Sequence, residues 1–372
     1  MTRREMIALA STATFLRAKD APTAPVAVAR CSSYEDDLLG TLAKMFDQLG
    51  LNKTVANKTI TIKLNLTGSP GLRFQGKPLG VTHYSHPKTL AAIIGQLDRA
   101  GARRILMVES CWASAGPLEE YMLDSGWNVR SLQSAASRAK VEFENTNALG
   151  KAKKYARVKS PGTAYIFPSY ELNPAYVDTD LFMSMAKLKN HETCGITLSM
   201  KNCFGNTPAS IYGDDAGVDE PNEAPMKGRV NVCHFGKRQP ARIALPEIDP
   251  NSSREPGYRM PRITAELNAA RPIDIAFIDG IETVAGGEGP WIKGLRHIKP
   301  GILLLGTNGV TTDAVGTAVM GYDPRAPKGT APFRNCDNTL LLAEALGVGS
   351  ADLKRIEVRG LPIAESRFAF EV

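Results

Sequence analysis

The sequence predicts an α/β protein with mostly parallel sheets and helices on both sheet faces. Strand-like and helical patterns alternate from residue 59 to residue 126, at the spacing of parallel β-α-β units. A similar alternation returns between residues 262 and 358. The strand-like run Ile105-Leu106-Met107-Val108 is apolar on both sides, which indicates that helices cover both faces of its sheet. We therefore expect two α/β lobes, at residues 26–150 and 151–372, after an N-terminal segment at 1–25.

The first lobe contains three predicted strands and three predicted helices. The strands are expected at residues 26–30, 59–66 and 104–109, and the helices at 36–49, 87–100 and 117–125. Apolar residues recur with a 3.6-residue period in the first helix, and Gly50 suits its end. Pro87 stands in the first turn of the second helix, where proline is tolerated. A Gly/Pro-rich loop at 68–80 joins the second strand to this helix.

The second lobe begins with short β-like segments up to residue 170, followed by an apolar strand at 181–186. A helix is predicted at 195–204 with Thr193 as its N-cap. Residues 211–257 show little apolar periodicity, and a loop of that length is either functional or mobile. Strands at 273–279, 302–305 and 356–358 then alternate with helices at 262–270, 312–320 and 339–346.

Composition excludes several functional classes. Hydrophobic residues make up 43% and charged residues 22% of the 372, as in soluble globular proteins. The net charge of +7 is mild, and no basic stripe interleaved with aromatic residues suggests nucleic-acid binding. None of the six cysteines forms a CxxC pair, so the sequence indicates neither a zinc knuckle nor a 4Fe-4S cluster.

The N-terminus resembles a twin-arginine (Tat) export signal. Arg3 and Arg4 are followed by an apolar stretch at residues 6–16, which is too short for a permanent membrane span. We expect a periplasmic or otherwise exported protein with the Tat machinery as a partner. The alternative is a cytoplasmic protein that begins with an ordinary amphipathic helix. Ala27-Val28-Ala29 offers a small-x-small cleavage pattern, but it overlaps the first predicted strand.

Polar side chains collect where predicted strands end. Lys63 and Asn65 stand at the end of one strand, and Lys187, Lys189 and His191 follow another. The next predicted helix carries Lys201 and Asn202. Carboxyl ends of parallel strands meet at one sheet edge, where open α/β sheets bind ligands. We therefore predict an electropositive pocket for a phosphate- or carboxylate-bearing small molecule, in which the lysines bind the anion and the amides orient it.

A glycine-rich turn offers a further anion-binding element. Gly286, Gly287 and Gly289 follow the strand that ends at Asp279, and successive backbone N–H groups in such turns can form an anion-binding nest. The segment matches neither a dinucleotide-binding fingerprint nor a P-loop. A simple tight turn is the alternative interpretation.

Histidines and carboxylates provide candidate catalytic and metal-binding groups. His191 is a candidate acid/base whose neutral form nearby lysines would favour, and Lys201 is a second candidate catalytic residue. His and carboxylate groups also suit a divalent metal; the candidate ligands are His191, His234, Asp279, Glu288 and Asp313. No HExxH spacing and no GxSxG nucleophile elbow is present.

Several sequence motifs together suggest membership of one family. They are Ile62-Lys63-Leu64-Asn65-Leu66, His86-Pro87, Lys187-Leu188-Lys189-Asn190-His191, Met200-Lys201-Asn202-Cys203-Phe204-Gly205, Asp279-Gly280-Ile281, Gly286-Gly287-Glu288-Gly289-Pro290, Thr312-Asp313-Ala314-Val315 and Met320-Gly321-Tyr322-Asp323-Pro324. In this order they resemble the motifs of domain of unknown function 362 (DUF362), a family of bacterial and archaeal proteins. The resemblance implies an α/β fold and a site built from these motifs, but no general reaction. Many relatives carry a ferredoxin-like segment with two four-iron clusters, which this chain lacks. His86 stands where relatives often have an acidic residue.

The leading hypothesis is an exported enzyme that acts on an anionic small molecule, with a divalent metal as a candidate cofactor. The competing hypothesis is a non-catalytic protein that binds or delivers a cofactor or anion outside the cytoplasm. An enzyme would show turnover sensitive to His191, whereas a carrier would show stoichiometric binding alone.

Overall fold

A computed structural model describes residues 21–160 and 164–371. Its strands, numbered along the chain, are β1 Val26–Arg30, β2 Thr59–Lys63, β3 Arg104–Glu109, β4 Lys140–Asn145, β5 Ala156–Lys159, β6 Ser169–Leu172, β7 Leu181–Lys187, β8 Asn190–His191, β9 Gly195–Ile196, β10 Ile275–Gly280, β11 Thr283–Ala285, β12 Arg296–Ile298, β13 Ile302–Gly306 and β14 Val358–Gly360.

The α-helices are α1 Leu38–Leu49, α2 Leu51–Val55, α3 Pro87–Arg99, α4 Leu118–Asp124, α5 Val129–Gln133, α6 Ser199–Asn202, α7 Ala209–Tyr212, α8 Pro256–Ala270, α9 Gly309–Val319, α10 Thr339–Ala345 and α11 Ile363–Ser366. Short 3-10 turns lie at Phe74–Gly76, Leu79–Val81, Pro174–Tyr176, Cys203–Asn206 and Leu353–Arg355, and a π turn lies at Val230–His234. Gly50 ends α1 in the left-handed conformation, with φ of 67°, as the sequence predicts.

Eight strands form one sheet in the order β14-β1-β13-β10-β7-β2-β3-β4. The five strands β10, β7, β2, β3 and β4 are parallel to one another. At the other end, β13 runs antiparallel to both β10 and β1, and β14 is parallel to β1. The three remaining sheets are two-stranded hairpins. The predicted α/β class with a mostly parallel sheet is therefore confirmed.

The two halves of the chain share this sheet but supply different helix layers. One hydrophobic core contains Leu42 of α1 and Ile93 of α3. The core on the opposite face contains Ile263 of α8, Val315 of α9 and Leu340 of α10. Strand β1, from the first half, lies between β13 and β14 of the second. Helices thus cover both faces of the sheet, as the apolar strands predict.

The predicted helix at 195–204 is wrong in its first half. Gly195 lies in β9 with φ of +74°, and the helix starts only at Ser199. Thr193 is not the cap. The cap is Asp313 of α9, a residue far away along the chain. Its carboxylate accepts hydrogen bonds from the backbone N–H groups of Ser199 and Met200, both at 2.8 Å. A cap supplied by a residue so far along the chain has no local sequence signal.

The predicted export signal at residues 1–20 lies outside the described residues. The chain is packed from its first described residue onward: Ala21 is buried, and the Pro22 carbonyl accepts a hydrogen bond from Ser350 N–H at 2.9 Å. Strand β1 is an interior strand, so cleavage after Ala29 would remove most of it from the sheet. Among the described helices, none combines the length and the apolar character needed to cross a membrane.

Candidate functional site

A cavity of about 410 Å³ opens at the carboxyl ends of β2, β3 and β7. Its lining residues are Lys63, Asn65, Leu66, Thr67, Gly68, Leu72, Glu109, Ser110, Trp112, Lys189, His191, Thr197, Lys201, Asn202, Phe204, Gly205, Arg229, Val230, His234, Glu288 and Trp291. The structure thus brings Lys63, Asn65, Lys189, Lys201 and Asn202 into one site, together with His191, His234 and Glu288.

The topology explains why the cavity lies here. Strands β2 and β7 are parallel neighbours, but the chain leaves them in opposite directions. From β2 it passes through α3 on one face to β3, and from β7 it passes through α8 on the other face to β10. Such a switch point opens a crevice at the carboxyl edge of an α/β sheet, and ligands bind there.

Lys63 holds the floor of the cavity together. Its Nζ lies 2.5 Å from Glu109 Oε1 and 2.7 Å from the Leu64 carbonyl oxygen, which it donates to. Asn202 Oδ1 accepts from Asn65 Nδ2 at 3.2 Å and is a third acceptor for Lys63, at 3.4 Å. Since protein acceptors already surround this ammonium, Lys63 stabilises the junction of β2, β3 and α6. Asn65 Oδ1 is buried and has no hydrogen-bond partner within the described part of the chain.

Lys189 is a buried cation held by neutral groups. Its Nζ donates to the carbonyl oxygens of His83 at 2.8 Å and Glu288 at 3.1 Å. It forms no ion pair with any carboxylate of residues 21–160 and 164–371. Burial holds the pKa of Lys189 well below its usual value, because its charge is poorly solvated. A bound anion would supply the missing compensation.

Lys201 is the least satisfied cation of the site. Its Nζ lies 4.4 Å from the centre of the Phe204 ring, and within the described residues it has neither a hydrogen bond nor an ion pair. Burial lowers the pKa of Lys201. The Asp313 cap fixes the one-turn helix α6 that carries it. The lysine is therefore positioned by its backbone, while its amine remains available to a ligand.

Arg229 is a further cation that the sequence analysis missed. Its Nε donates to the Thr207 carbonyl at 2.6 Å, and its Nη2 donates to Asn147 Oδ1 at 2.7 Å and to Ser110 Oγ. For Nη1 the described chain offers no acceptor. Burial lowers the pKa of Arg229. Neutral acceptors thus orient the guanidinium and leave Nη1 without a protein partner among the described residues. The only sequence signal for Arg229 was its position in the loop at 211–257, which the sequence analysis interpreted as either functional or mobile.

His191 is a neutral hydrogen-bond donor toward the site. The Thr193 N–H donates to His191 Nδ1 at 3.2 Å, which places the ring hydrogen on Nε2. Burial, reinforced by Lys201 and Lys189 and opposed by Glu288, lowers the pKa of His191 to about 3. Although Glu288 Oε2 lies 3.8 Å from Nδ1, the two groups therefore form no ion pair at neutral pH. A neutral imidazole can donate to a developing oxyanion without adding charge.

Glu288 is ionised and fixed by backbone and indole donors. Its Oε2 accepts from Glu192 N–H at 3.0 Å and its Oε1 from Trp291 Nε1–H at 3.1 Å. Burial opposes ionisation, but the His191 ring, which is protonated in acid, and these donors outweigh it, and the pKa of Glu288 falls to about 2. The cavity therefore carries four basic side chains against two carboxylates, Glu109 and Glu288.

Aromatic residues form the walls and the mouth. Trp112 and Trp291 are 43% and 44% exposed, and Phe204 contacts His234 edge-on at 5.6 Å between ring centres. Trp112 packs on Gly228, where a Cβ would lie 2.5 Å from the indole ring. Trp291 packs in the same way on Gly68 and Gly289. The sequence analysis did not identify these aromatic groups, which give the cavity apolar surface beside its charged side chains.

Lys187, a predicted anion ligand, lies apart from the cavity lining. Its Nζ is 3.0 Å from Asp279 Oδ2 and donates to Tyr34 Oη at 2.6 Å. Lys187 and Asp279 are paired across adjacent parallel strands, and both side chains project toward the face covered by α1 and α3. They form a buried ion pair on the other side of the sheet.

The glycine turn and Asp313 also lie outside the lining. Gly286 N–H donates to Asn190 Oδ1 at 3.0 Å, and Gly289 packs on Trp291. Neither they nor Gly287 line the cavity, so the predicted nest is replaced by a turn that supports Glu288 and Trp291. Asp313 serves as the cap of α6.

The candidate metal ligands are divided among three places. His191, His234 and Glu288 line the cavity, whereas Asp279 pairs with Lys187 and Asp313 caps α6. Burial, with Lys201, lowers the pKa of His234 to about 4, which keeps this ring neutral. Across the described ranges, no group of three His, Cys, Asp or Glu residues is arranged to hold a metal ion.

Comparison with known proteins identifies the family. The model of the family described as "Domain of unknown function (DUF362)" matches residues 60–318, and the chain belongs to this family. No curated protein matches significantly. A crystal structure of a protein from Thermotoga maritima aligns with 73% of this chain and 56% of its own, at 12% identity and a TM-score of 0.39. This chain therefore spans little more than half of that protein.

Proposed function

We propose that this DUF362 protein binds an anionic small molecule in the cavity at the ends of β2, β3 and β7 and acts on it as an enzyme. One observation carries the proposal: Lys201 and Arg229 line the same cavity, and neither has a carboxylate partner in the part of the chain that the structure describes. Poorly compensated buried cations are costly, and an anion that enters the cavity would compensate them.

Different groups take different roles in this proposal. Lys201, Lys189 and Arg229 Nη1 bind the phosphate or carboxylate, and Lys63 and Asn202 hold the surrounding strands in place. His191 donates its Nε2–H to an oxygen of the ligand on which negative charge develops. Trp112, Trp291 and Phe204 contact the apolar part of the ligand. This proposal assigns no role to a metal ion, because two of the predicted carboxylate ligands have other partners: Asp279 pairs with Lys187, and Asp313 caps α6.

The second candidate is a binding or delivery protein without turnover. It is supported by the same excess of basic side chains over carboxylates in the cavity. It is also supported by Trp291, whose Nε1–H donates to Glu288 Oε1 and which would help to retain a ligand. The two candidates differ in their response to His191→Asn. An enzyme loses turnover with little loss of ligand affinity, whereas for a carrier only affinity can change.

Export is a separate part of the proposal and rests on Arg3-Arg4 with the apolar stretch behind it. The packing of Ala21 and Pro22 against the body of the protein favours a cleavage site before residue 21. N-terminal sequencing of protein from the periplasm would test both points. Retention of the protein in the cytoplasm, or unchanged export after both arginines are replaced by lysine, would count against export through the Tat machinery.

Thermal denaturation in the presence of phosphate and of mono- and dicarboxylates tests the binding proposal. We expect at least one anion class to raise the Tm of the wild-type protein and of Lys237→Ala, but not that of Lys201→Ala. Lys237 is a matched control: its Nζ also lies over a phenyl ring, at 4.9 Å from that of Phe235, but it is exposed and outside the cavity lining. An equal rise in all three proteins would place the anion elsewhere.

A further inference from the structure

Lys201 differs from the other lysines of the cavity in what surrounds its amine. Lys63 has three acceptors within 3.4 Å, one of them the Glu109 carboxylate. Lys189 donates to two carbonyl oxygens. Lys201 faces the same space but rests on the Phe204 ring, and no acceptor of the described residues holds its Nζ. A cation that serves only to bind charge would not need this apolar surrounding.

The surroundings of Lys201 favour its unprotonated form. An ordinary lysine, with a pKa near 10.4, is unprotonated in only about 0.04% of molecules at pH 7, and each unit by which the pKa falls raises this fraction about tenfold. Burial lowers the pKa of Lys201; Cys194 and Glu288 oppose this shift, and the neighbouring charges of Lys63 and Arg229 add to it. Desolvation beside other cations is the recognised way in which proteins make a lysine nucleophilic.

The remaining groups suit a ligand with both a carboxylate and a carbonyl. Arg229 Nη1 and Lys189 are placed to hold the carboxylate, because neither has a carboxylate partner of its own within the described chain. The Nε2–H of neutral His191 is available to a carbonyl oxygen. Trp112 and Trp291 provide apolar surface for a side chain at the mouth.

We propose that Lys201 forms an imine with the carbonyl group of a 2-oxo acid bound in this cavity, an inference that rests on the proposed anion-binding function. Nζ attacks the carbonyl carbon to give a carbinolamine, and the C–O bond then breaks. Counted from the lysine ammonium, two of its protons leave with the carbonyl oxygen as water, and the protonated imine retains one positive charge. The step consumes no oxidant or reductant. The protonated imine withdraws electrons from the neighbouring carbon, which is the chemistry that lysine imines supply.

The experiment is trapping with borohydride. Wild-type protein is incubated with phenylpyruvate or pyruvate and treated with sodium borohydride, which adds hydride to the imine carbon and leaves a stable secondary amine. Intact mass and peptide mapping then identify the modified residue. We expect one adduct, on Lys201, because no acceptor of the described residues holds its Nζ, whereas Lys63 and Lys189 each donate to protein oxygens. Lys237→Arg should give the same adduct, and Lys201→Arg, which keeps the charge but cannot form an imine, should give none.

A parallel measurement separates failure of this inference from failure of the proposed function. Phenyllactate has the same carboxylate and ring as phenylpyruvate but no carbonyl, so it should raise the Tm of the wild type without being trapped. If both acids raise the Tm but borohydride traps no adduct on Lys201, the imine is refuted and anion binding stands. If neither acid nor phosphate binds, the proposed function itself fails. Equal labelling of many surface lysines would also overturn the assignment.

Discussion

Two lysine clusters lie against the sheet, one on each side, and their charges are compensated differently. On the side of α1 and α3, Lys187 pairs with Asp279 at 3.0 Å and with Tyr34 at 2.6 Å, and the ring of Tyr34 stacks on His86 at 3.5 Å. Every polar atom of Lys187 and Asp279 is close-packed against a partner. This cluster is complete without a ligand.

At the carboxyl edge, Lys189, Lys201 and Arg229 surround a cavity and are held by neutral acceptors or by none among the described residues. Burial opposes ionisation in both clusters: it lowers the pKa of Lys187 as well as that of Lys201, although Asp279 partly restores the charge of Lys187. A buried lysine is therefore not by itself evidence of a binding site. Missing compensation beside an open volume is the distinguishing feature.

The largest expected effect concerns the complete cluster. Lys187→Met leaves the Asp279 carboxylate buried without its cation, and we expect the free energy of unfolding to fall by about 3–5 kcal/mol. The double variant Lys187→Met/Asp279→Leu removes both charges and should recover most of the loss. Denaturant unfolding of both variants provides the measurement. A single variant as stable as the wild type would show that the pair contributes no electrostatic stabilisation.

The next largest effect is a pH dependence caused by His191. Its pKa is lowered to about 3 in the folded protein from 6.5, so its contribution to stability is present above pH 6.5 and is lost as the pH falls toward 3. Between pH 7 and pH 5 this loss is about 2 kcal/mol.

We expect His191→Asn, which keeps an acceptor for the Thr193 N–H, to lose about 2 kcal/mol less stability over this pH range than the wild type. His83 and His86, whose pKa values burial also lowers to about 3, remain in both proteins and cancel in the comparison. Urea unfolding at the two pH values measures the difference. Parallel losses in both proteins would mean that His191 is already solvated.

A smaller effect of opposite sign is expected at the incomplete cluster. Lys201→Met removes a half-buried amine that has no partner in the described structure, so the ligand-free protein should gain about 1 kcal/mol of stability. The same variant should bind anions much more weakly. This combination, more stable but inactive, is typical of residues kept for function. A stability loss similar to that of Lys187→Met would show that Lys201 stabilises the fold, as Lys187 does.

The smallest effect concerns the mouth of the cavity. In Gly228→Ala the new methyl group would lie 2.5 Å from the Trp112 ring and displace it, while Gly71→Ala meets only Ser69 Oγ at 3.8 Å. We expect affinity for an aromatic acid to fall about threefold in Gly228→Ala, as the loss of one aromatic contact implies, and to stay unchanged in Gly71→Ala. Fluorescence titration would measure both, and equal affinities would exclude Trp112 from the binding surface.

Local pattern was sufficient to predict most elements of the fold. Strand β1 begins and ends where its apolar run does, and α3 runs from Pro87 as predicted. The order of the strands was not predictable, because β1 pairs with β13, where Val26 is opposite Gly306 and the two lie about three quarters of the chain apart. The predicted start of α6 was wrong for a similar reason, because the residue that caps it, Asp313, belongs to another helix.

The convergence of polar side chains was predicted in part. We expected Lys63, Lys189, His191 and Lys201 to lie close together because parallel strands share a carboxyl edge, and all four line one cavity. The prediction that Lys187 lies with the other lysines was wrong. Lys187 is the last residue of β7, and the alternation of side chains along the strand directs it to the face covered by α1 and α3, whereas Lys189 lies beyond the end of the strand. Arg229 lies in a segment without periodicity, and only contacts with Thr207, Ser110 and Asn147 fix its position.

Calorimetric titration of phenyllactate into Lys201→Met and into Lys187→Met/Asp279→Leu tests the central claim most directly. Each variant removes a lysine charge, but only the first removes it from the cavity. We predict that the double variant binds with wild-type affinity and that Lys201→Met binds much more weakly, since only Lys189 and Arg229 remain to hold the carboxylate. Wild-type affinity in Lys201→Met, or loss of binding in the double variant alone, would contradict the assignment of the ligand site to the cavity at the ends of β2, β3 and β7.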